Sequence, residues 1–188
     1  MDVQKYAPYV EYARRQAAER QRSVFPSHIL LAQQIRGEAA ALNRAVLRVQ
    51  RAWEAAQQPS NEQDMFIDST ALNLHSFYSG LERLLEYAAY QMEGSVPKGR
   101  DWRKELLRQM SSELPGLRPA MLQPETVATL DEFRRFRHVV RNVYAEHLDP
   151  RRVGELVVRL TAVWHQTHTQ LLTFAEFLEG VSRADDLL

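Results

Sequence analysis

Hydrophobic positions recur at three- and four-residue spacing along nearly the whole chain, the period of a helix with one buried face. Strand signals are nearly absent: few β-branched runs alternate, and there is no Asn-Gly or Asp-Gly hairpin. Residues 2–22 carry Val3, Tyr6, Val10 and Ala13 at helical spacing, then the charged tail RRQAAERQR. Ser23 to Ser27, with Pro26, breaks this segment from the next. From His28 to Gln57, Leu31, Ile35, Ala39, Leu42, Val46, Val49 and Trp53 predict a long amphipathic helix. Gly37 inside it costs about 1 kcal/mol relative to Ala. A polar linker, QQPSNEQD over 57–64, follows. Asp68 or Ser69 can then cap a second long helix running to about Met92, with Leu72, Leu81, Leu84, Leu85 and Ala88 on its core side and Gly94 ending it.

The loop GSVPKG leads to a shorter helix from Asp101 to about Ser112, carrying Trp102, Leu106 and Met110. LPGLRPAMLQP, 114–124, holds three prolines and a glycine and reads as a structured connector. Pro124 and Glu125 suit the first turn of the next helix, which Asp149-Pro150 closes. The last helix, from 150 to about 180, carries Val153, Leu156, Leu160, Val163, Trp164, Leu171, Phe174, Phe177 and Leu178. Four long antiparallel helices plus shorter ones predict an all-α, up-and-down bundle. Residues 1–25 form an N-terminal helical arm in this reading, and 26–188 the helical domain; no 20–50-residue repeat is visible.

Composition narrows the function classes. At 188 residues, with 45% hydrophobic and 26% charged positions, the chain can bury a full core in one domain. Formal net charge is zero, so a nucleic-acid partner must be met by a local patch. The absence of cysteine excludes a disulfide framework, thiolate zinc sites and cysteine nucleophiles. No apolar run approaches a membrane span and no signal-peptide form is present, which fits a cytoplasmic protein.

The chemistry concentrates in residues 131–150, DEFRRFRHVVRNVYAEHLDP. On a helical wheel Phe133, Phe136, Val139, Val140 and Val143 form an apolar stripe. Tyr144, Arg137, Arg141, Arg134, His138 and Asn142 fill the opposite arc. Four arginines stand between 134 and 141 with no acid among them, whereas a solvated face usually mixes Glu with Lys. Guanidinium forks bind phosphate bidentately and an imidazole beside them can carry a proton, so the arc outlines a phosphodiester site. The bland alternative is a solvated basic face beside a bundle core.

Arg137-His138, three residues, Asn142, one residue and Tyr144, followed by Leu148-Asp149, resembles the signature helix of HepT-like toxins of the HEPN superfamily. The stretches LHSFYSGLERLLEYAAYQMEGSVPKGRDWRKELLRQM and LDPRRVGELVVRLTAVW also resemble that family, so the similarity covers roughly residues 30–180. The resemblance implies a metal-independent endoribonuclease with no cofactor, acting on RNA, with tRNA the expected class. It also implies a homodimer with two signature helices across a basic cleft, and a nucleotidyltransferase (MNT-type) antitoxin as partner. Arg137 matches the family's phosphate-holding arginine, His138 the polar position after it, and Tyr144 the tyrosine to which the antitoxin attaches AMP. Arg134 and Arg141 would add phosphate-binding charge.

The chain departs from the family pattern at one position: Asn142 stands where the motif has its histidine. An amide does not shuttle protons near neutral pH, so either His138 takes that task or the chemistry is altered. Arg141, Asn142 and His147 also fit the broad HEPN spacing, but His147 falls with the apolar stripe on the wheel.

His75, Tyr78 and Glu82 stack at i, i+3 and i+7 on the second long helix. Against the signature helix, Glu82 could orient Arg137 or Arg141; the structural alternative is an internal hydrogen-bond network. His165 and His168 lie at i,i+3 without a third ligand nearby, and read as exposed polar positions rather than a metal site. Trp53, Trp102 and Trp164 read as core or interface anchors.

Two further classes compete with the toxin. In one, Asn142 marks a catalytically inactive member that binds nucleotide or RNA, or serves as the substrate-binding subunit of a nucleotidyltransferase. In the other, a helical module docks an acidic protein through its basic face.

Overall fold

The computed structural model describes the backbone of residues 3–20, 25–142, 148–185 and 187. Ser23, Val143, Tyr144 and His147 lie outside the described residues, as do the side chains of His138, Val139, Arg141 and Asn142. A 3-10 turn over Val3–Tyr6 precedes six α-helices: α1 Ala7–Arg20, α2 Phe25–Ala56, α3 Gln63–Glu93, α4 Trp102–Ser111, α5 Pro124–Asn142 and α6 Pro150–Asp185. No strand occurs among the described residues; Leu114 and Arg118 form one isolated bridge. The fold is an all-α bundle of four long helices, α2, α3, α5 and α6, with α1 and α4 as the shorter elements.

Helix α2 packs along both α3 and α6, and α5 closes the bundle against α3, with α4 lying on α3 and α5. Ile35, Val49, Leu74, Leu81, Leu130, Val153, Leu160 and Leu171 are fully sequestered in a single core drawn from the four long helices. Phe77 sits where α3, α5 and α6 meet. Its ring stands edge-on to Phe133 at 6.0 Å and to Trp164 at 5.7 Å, the geometry that aromatic quadrupoles favour. Trp164 also donates its indole N–H to Asn43 Oδ1 at 2.9 Å, so its one polar atom is satisfied inside the bundle.

Several boundaries differ from the sequence reading. Helix α2 starts at Phe25, with Pro26 in its first turn, where a missing N–H leaves no hydrogen bond unmade. Helix α3 starts at Gln63, so Asp68 and Ser69 are interior. Burial of Ile67 and partial burial of Phe66 draw the preceding turn onto the core. Ser60 accepts the Glu62 N–H, and the Gln63 side chain donates to Ala56 O, which closes the 57–62 joint without a cap at 68 or 69. Leu72 is exposed rather than on the core side; Leu74 and Phe77 fill that role. Gly94 ends α3 in the left-handed conformation at φ 70°, its N–H bonded to Tyr90 O, a backbone state glycine adopts without a Cβ penalty.

Helix α6 runs to Asp185 because α1 covers its end. Val10, Val181 and Ala184 are buried together, with Tyr6, Tyr9 and Phe177 against them. Gly180 lets the Tyr6 ring lie on α6, and Arg14 pairs with Asp185 at 2.5 Å.

The connector before α5 is pinned by Arg118, which is 1% exposed. Its guanidinium donates to Glu93 Oε1 and to the carbonyls of Ser112, Pro119 and Gln109. Met121 and Leu122 donate their N–H groups to Met110 O, and both side chains are buried. Pro124 therefore enters α5 from a fixed point, which sets the register of α5 against α3.

Candidate phosphate site between α3 and α5

One polar seam runs between α3 and α5. His75, Ser79, Glu82 and Glu86 descend one face of α3 at four-, three- and four-residue steps. Across from them α5 brings Asp131, Arg134 and Arg137, and α4 brings Arg103.

Arg137 is held by one edge. Its Nε donates to Ser79 Oγ at 3.2 Å, and its Nη2 stands 3.7 Å from Glu82 Oε1, an ion-pair contact longer than a hydrogen bond. Its buried Nη1 has no hydrogen-bond partner among the described residues. The side chain is 13% exposed. The wheel places Arg137 on the arc opposite the apolar stripe, yet Ser79 and Glu82 of α3 cover its side chain.

Glu82 is 5% exposed and meets Arg103 more closely than Arg137. Arg103 Nε donates to Oε1 at 3.2 Å with Oε2 3.0 Å away. The Arg103 guanidinium lies over the Trp102 ring at 4.2 Å. Burial, with Glu82 beside it, pushes the Glu86 carboxyl above its ordinary value. Burial, reinforced by the Glu82 charge, pushes the buried Tyr78 phenol up as well, so it stays neutral. His75 is half-buried on α3.

Arg134 is engaged one turn back. Its Nε donates to Asp131 Oδ1 at 2.5 Å, and Arg135 Nε donates to Oδ2 at 2.9 Å. Burial raises the Asp131 carboxyl, but the hydrogen bond and charge of Arg134, with Arg135 beside it, outweigh burial and hold it below the ordinary value. Arg159 of α6 pairs with Glu132. The arginines of this helix with described side chains thus each meet an acid, supplied by the preceding turn or by α3. Among the three, Arg137 alone makes its acid contact at a distance beyond hydrogen bonding.

The remaining marked residues lie elsewhere. His165 is exposed on α6, and His168 is half-buried against the Trp164 ring at 5.1 Å. Among the described residues no group of three His, Asp or Glu side chains could hold a metal ion. Trp53 packs partly buried against Gly154. Two site residues escaped sequence reasoning. Ser79 shares the His75–Glu82 face at i+4 from His75, a signal that was present. Arg103 lies outside any motif, and only the docking of α4 brings it to Glu82.

The family model described as HepT-like protein matches residues 69–178, more than half of the chain, from early α3 through most of α6. The chain belongs to the HepT-like proteins of the HEPN superfamily. No curated protein and no solved structure matches it. The matched span of this HepT-like protein contains Ser79, Glu82, Arg103 and Arg137, and leaves α1 and α2 outside it. No described helix is long and apolar enough to cross a membrane.

Proposed function

We propose that this HepT-like protein is the toxin of a toxin–antitoxin pair and acts as a metal-independent endoribonuclease. The observation that carries the reading is the state of Arg137. On a helix with the family's motif order, it is fixed through Nε, its buried Nη1 has no hydrogen-bond partner among the described residues, and its Nη2 stands 3.7 Å from Glu82, beyond hydrogen bonding. A guanidinium in that state suits bidentate capture of a scissile phosphate and stabilises the charge that grows on it.

In the proposed reaction the neighbouring 2′-oxygen attacks phosphorus and the bond to the 5′-oxygen breaks. A cyclic phosphate and a 5′-hydroxyl result. His138, in the position next to Arg137, moves the proton that Asn142 cannot. Arg141 and Arg134 add positive charge, with Arg134 shared with Asp131. His75, Tyr78 and Glu82 support the seam from α3. The substrate is RNA, with tRNA the class implied by the family resemblance. A homodimer doubles the charge of one helix and forms a groove. A nucleotidyltransferase antitoxin silences the site by transferring AMP from ATP to the Tyr144 oxygen, with pyrophosphate as the leaving group, which adds bulk and negative charge.

Asn142 favours a second reading, in which the chain binds RNA or nucleotide without cleaving it, as the substrate-binding subunit of a nucleotidyltransferase. Induced expression separates the two. The toxin reading expects growth arrest with wild type, its loss with Arg137→Ala and His138→Ala, and escape of Tyr144→Phe from antitoxin neutralisation. Harmless wild-type protein with intact cellular RNA would leave the binding subunit as the reading.

A further inference from the structure

Glu82 is a buried carboxylate, and such a group must be paired. Two guanidinium groups approach it, one from each neighbouring helix, at unequal distances. Arg103 of α4 reaches Oε2 at 3.0 Å and Oε1 at 3.2 Å, while Arg137 of α5 stops at 3.7 Å. Arg103 is held in that place by the Trp102 ring beneath it, at 4.2 Å. Arg137 is held in its own place by Ser79, through the one nitrogen that bidentate binding by the Nη pair does not use.

We infer that Arg103 is a positioning residue: by taking up the Glu82 carboxylate it keeps the Nη edge of Arg137 free of a carboxylate hydrogen bond, so that its charge is left for phosphate. The inference rests on the reading of Arg137 as the phosphate holder. Without Arg103, Arg137 is the one cation left within 4 Å of Glu82 among the described residues. The carboxylate then has to close on Nη2, because a buried charge left unpaired is the costlier state. A carboxylate hydrogen-bonded there occupies the place of a phosphate oxygen and cancels the charge that attracts it. Glu82 thus orients Arg137 from a distance only while α4 supplies a second arginine. The pair Trp102-Arg103 makes this shorter helix part of the site.

The test uses the purified full chain with an RNA substrate and four variants: Arg103→Met, Arg103→Lys, Glu82→Gln and the double variant Arg103→Met with Glu82→Gln. Folding of each is verified by circular dichroism. Arg103→Met should lower kcat/KM tenfold or more, and Arg103→Lys should keep most of the activity because it still offers Glu82 a charge. The double variant should recover to within threefold of Glu82→Gln alone, since a neutral amide no longer quenches Arg137. A merely structural role predicts the opposite, a double variant worse than either single one. An Arg103→Met protein as active as wild type, or a loss that Glu82→Gln fails to rescue, overturns the inference. A crystal structure of Arg103→Met decides it without any activity. The Glu82–Arg137 distance should shorten from 3.7 Å to hydrogen-bond length, and an unchanged distance overturns the inference. Wild-type protein that leaves RNA uncut counts against the ribonuclease reading alone.

Discussion

Ser79 and Arg137 are joined across the α3–α5 seam by a 3.2 Å hydrogen bond from the guanidinium Nε to the serine hydroxyl. That single bond decides which edge of the guanidinium is spent and which is left. Replacing Ser79 with Ala frees the guanidinium to swing toward Glu82. RNA cleavage should fall about tenfold while stability changes by about 1 kcal/mol, the ordinary worth of one hydrogen bond. Ser79→Thr, which keeps the hydroxyl, should retain activity. Equal kinetics for Ser79→Ala and wild type would remove Ser79 from the site.

Arg118 anchors the connector that aims α5. Arg118→Met would leave the Glu93 carboxylate without its guanidinium and strip the carbonyls of Gln109, Ser112 and Pro119 of their donor. Breaking such a buried pair from one side costs about 3–5 kcal/mol. Urea denaturation should show that loss, and a change under about 1 kcal/mol would show that the connector is held by other contacts.

His28 gives the fold an acid sensitivity. Burial lowers its pKa from 6.5 to about 4, so the folded protein favours the neutral ring. Above pH 6.5 the ring is neutral in both states and contributes no slope. Between 6.5 and 4 the unfolded chain takes up the proton first, so stability falls as pH falls, by about 3 kcal/mol in all. Below 4 the contribution levels off. His28→Gln should lack this part of the pH dependence, and parallel stability curves for variant and wild type over pH 4–6.5 would contradict it.

The arm depends on the bare backbone of Gly180. A Cβ there would lie 2.5 Å from Tyr6 Cζ, so Gly180→Ala must push the ring off α6. Amide hydrogen exchange over residues 3–20 should quicken. Exchange in the core of α3 should hold, because the gain in helix propensity, about 1 kcal/mol, offsets the lost contact. Unchanged exchange in the arm would mean that Tyr6 does not secure it.

Much of the fold is written locally. The helical period is a short-range signal that gives the elements, and Gly94 after Glu93 and Pro124 before Glu125 mark element ends where the structure has them. The start of α3 is not local: Ile67 and Phe66 extend the helix because a core is there to receive them. The site shows the same divide. The helical wheel separates polar from apolar side chains and its spacing puts Asp131 beside Arg134 and Arg135, but it cannot say that α3 covers Arg137. Glu82 could be marked from its own helix as a partner for an arginine of α5. Its nearer partner, Arg103, comes from a third helix, and no pattern within one segment encodes that meeting.

Cleavage of RNA by the purified chain in the presence of EDTA separates a metal-independent ribonuclease from a binding protein. Wild type should cut RNA without a metal, and Arg137→Ala, still folded, should cut it at least about a hundredfold more slowly. Intact RNA with wild type, or equal cutting by Arg137→Ala, would contradict that expectation.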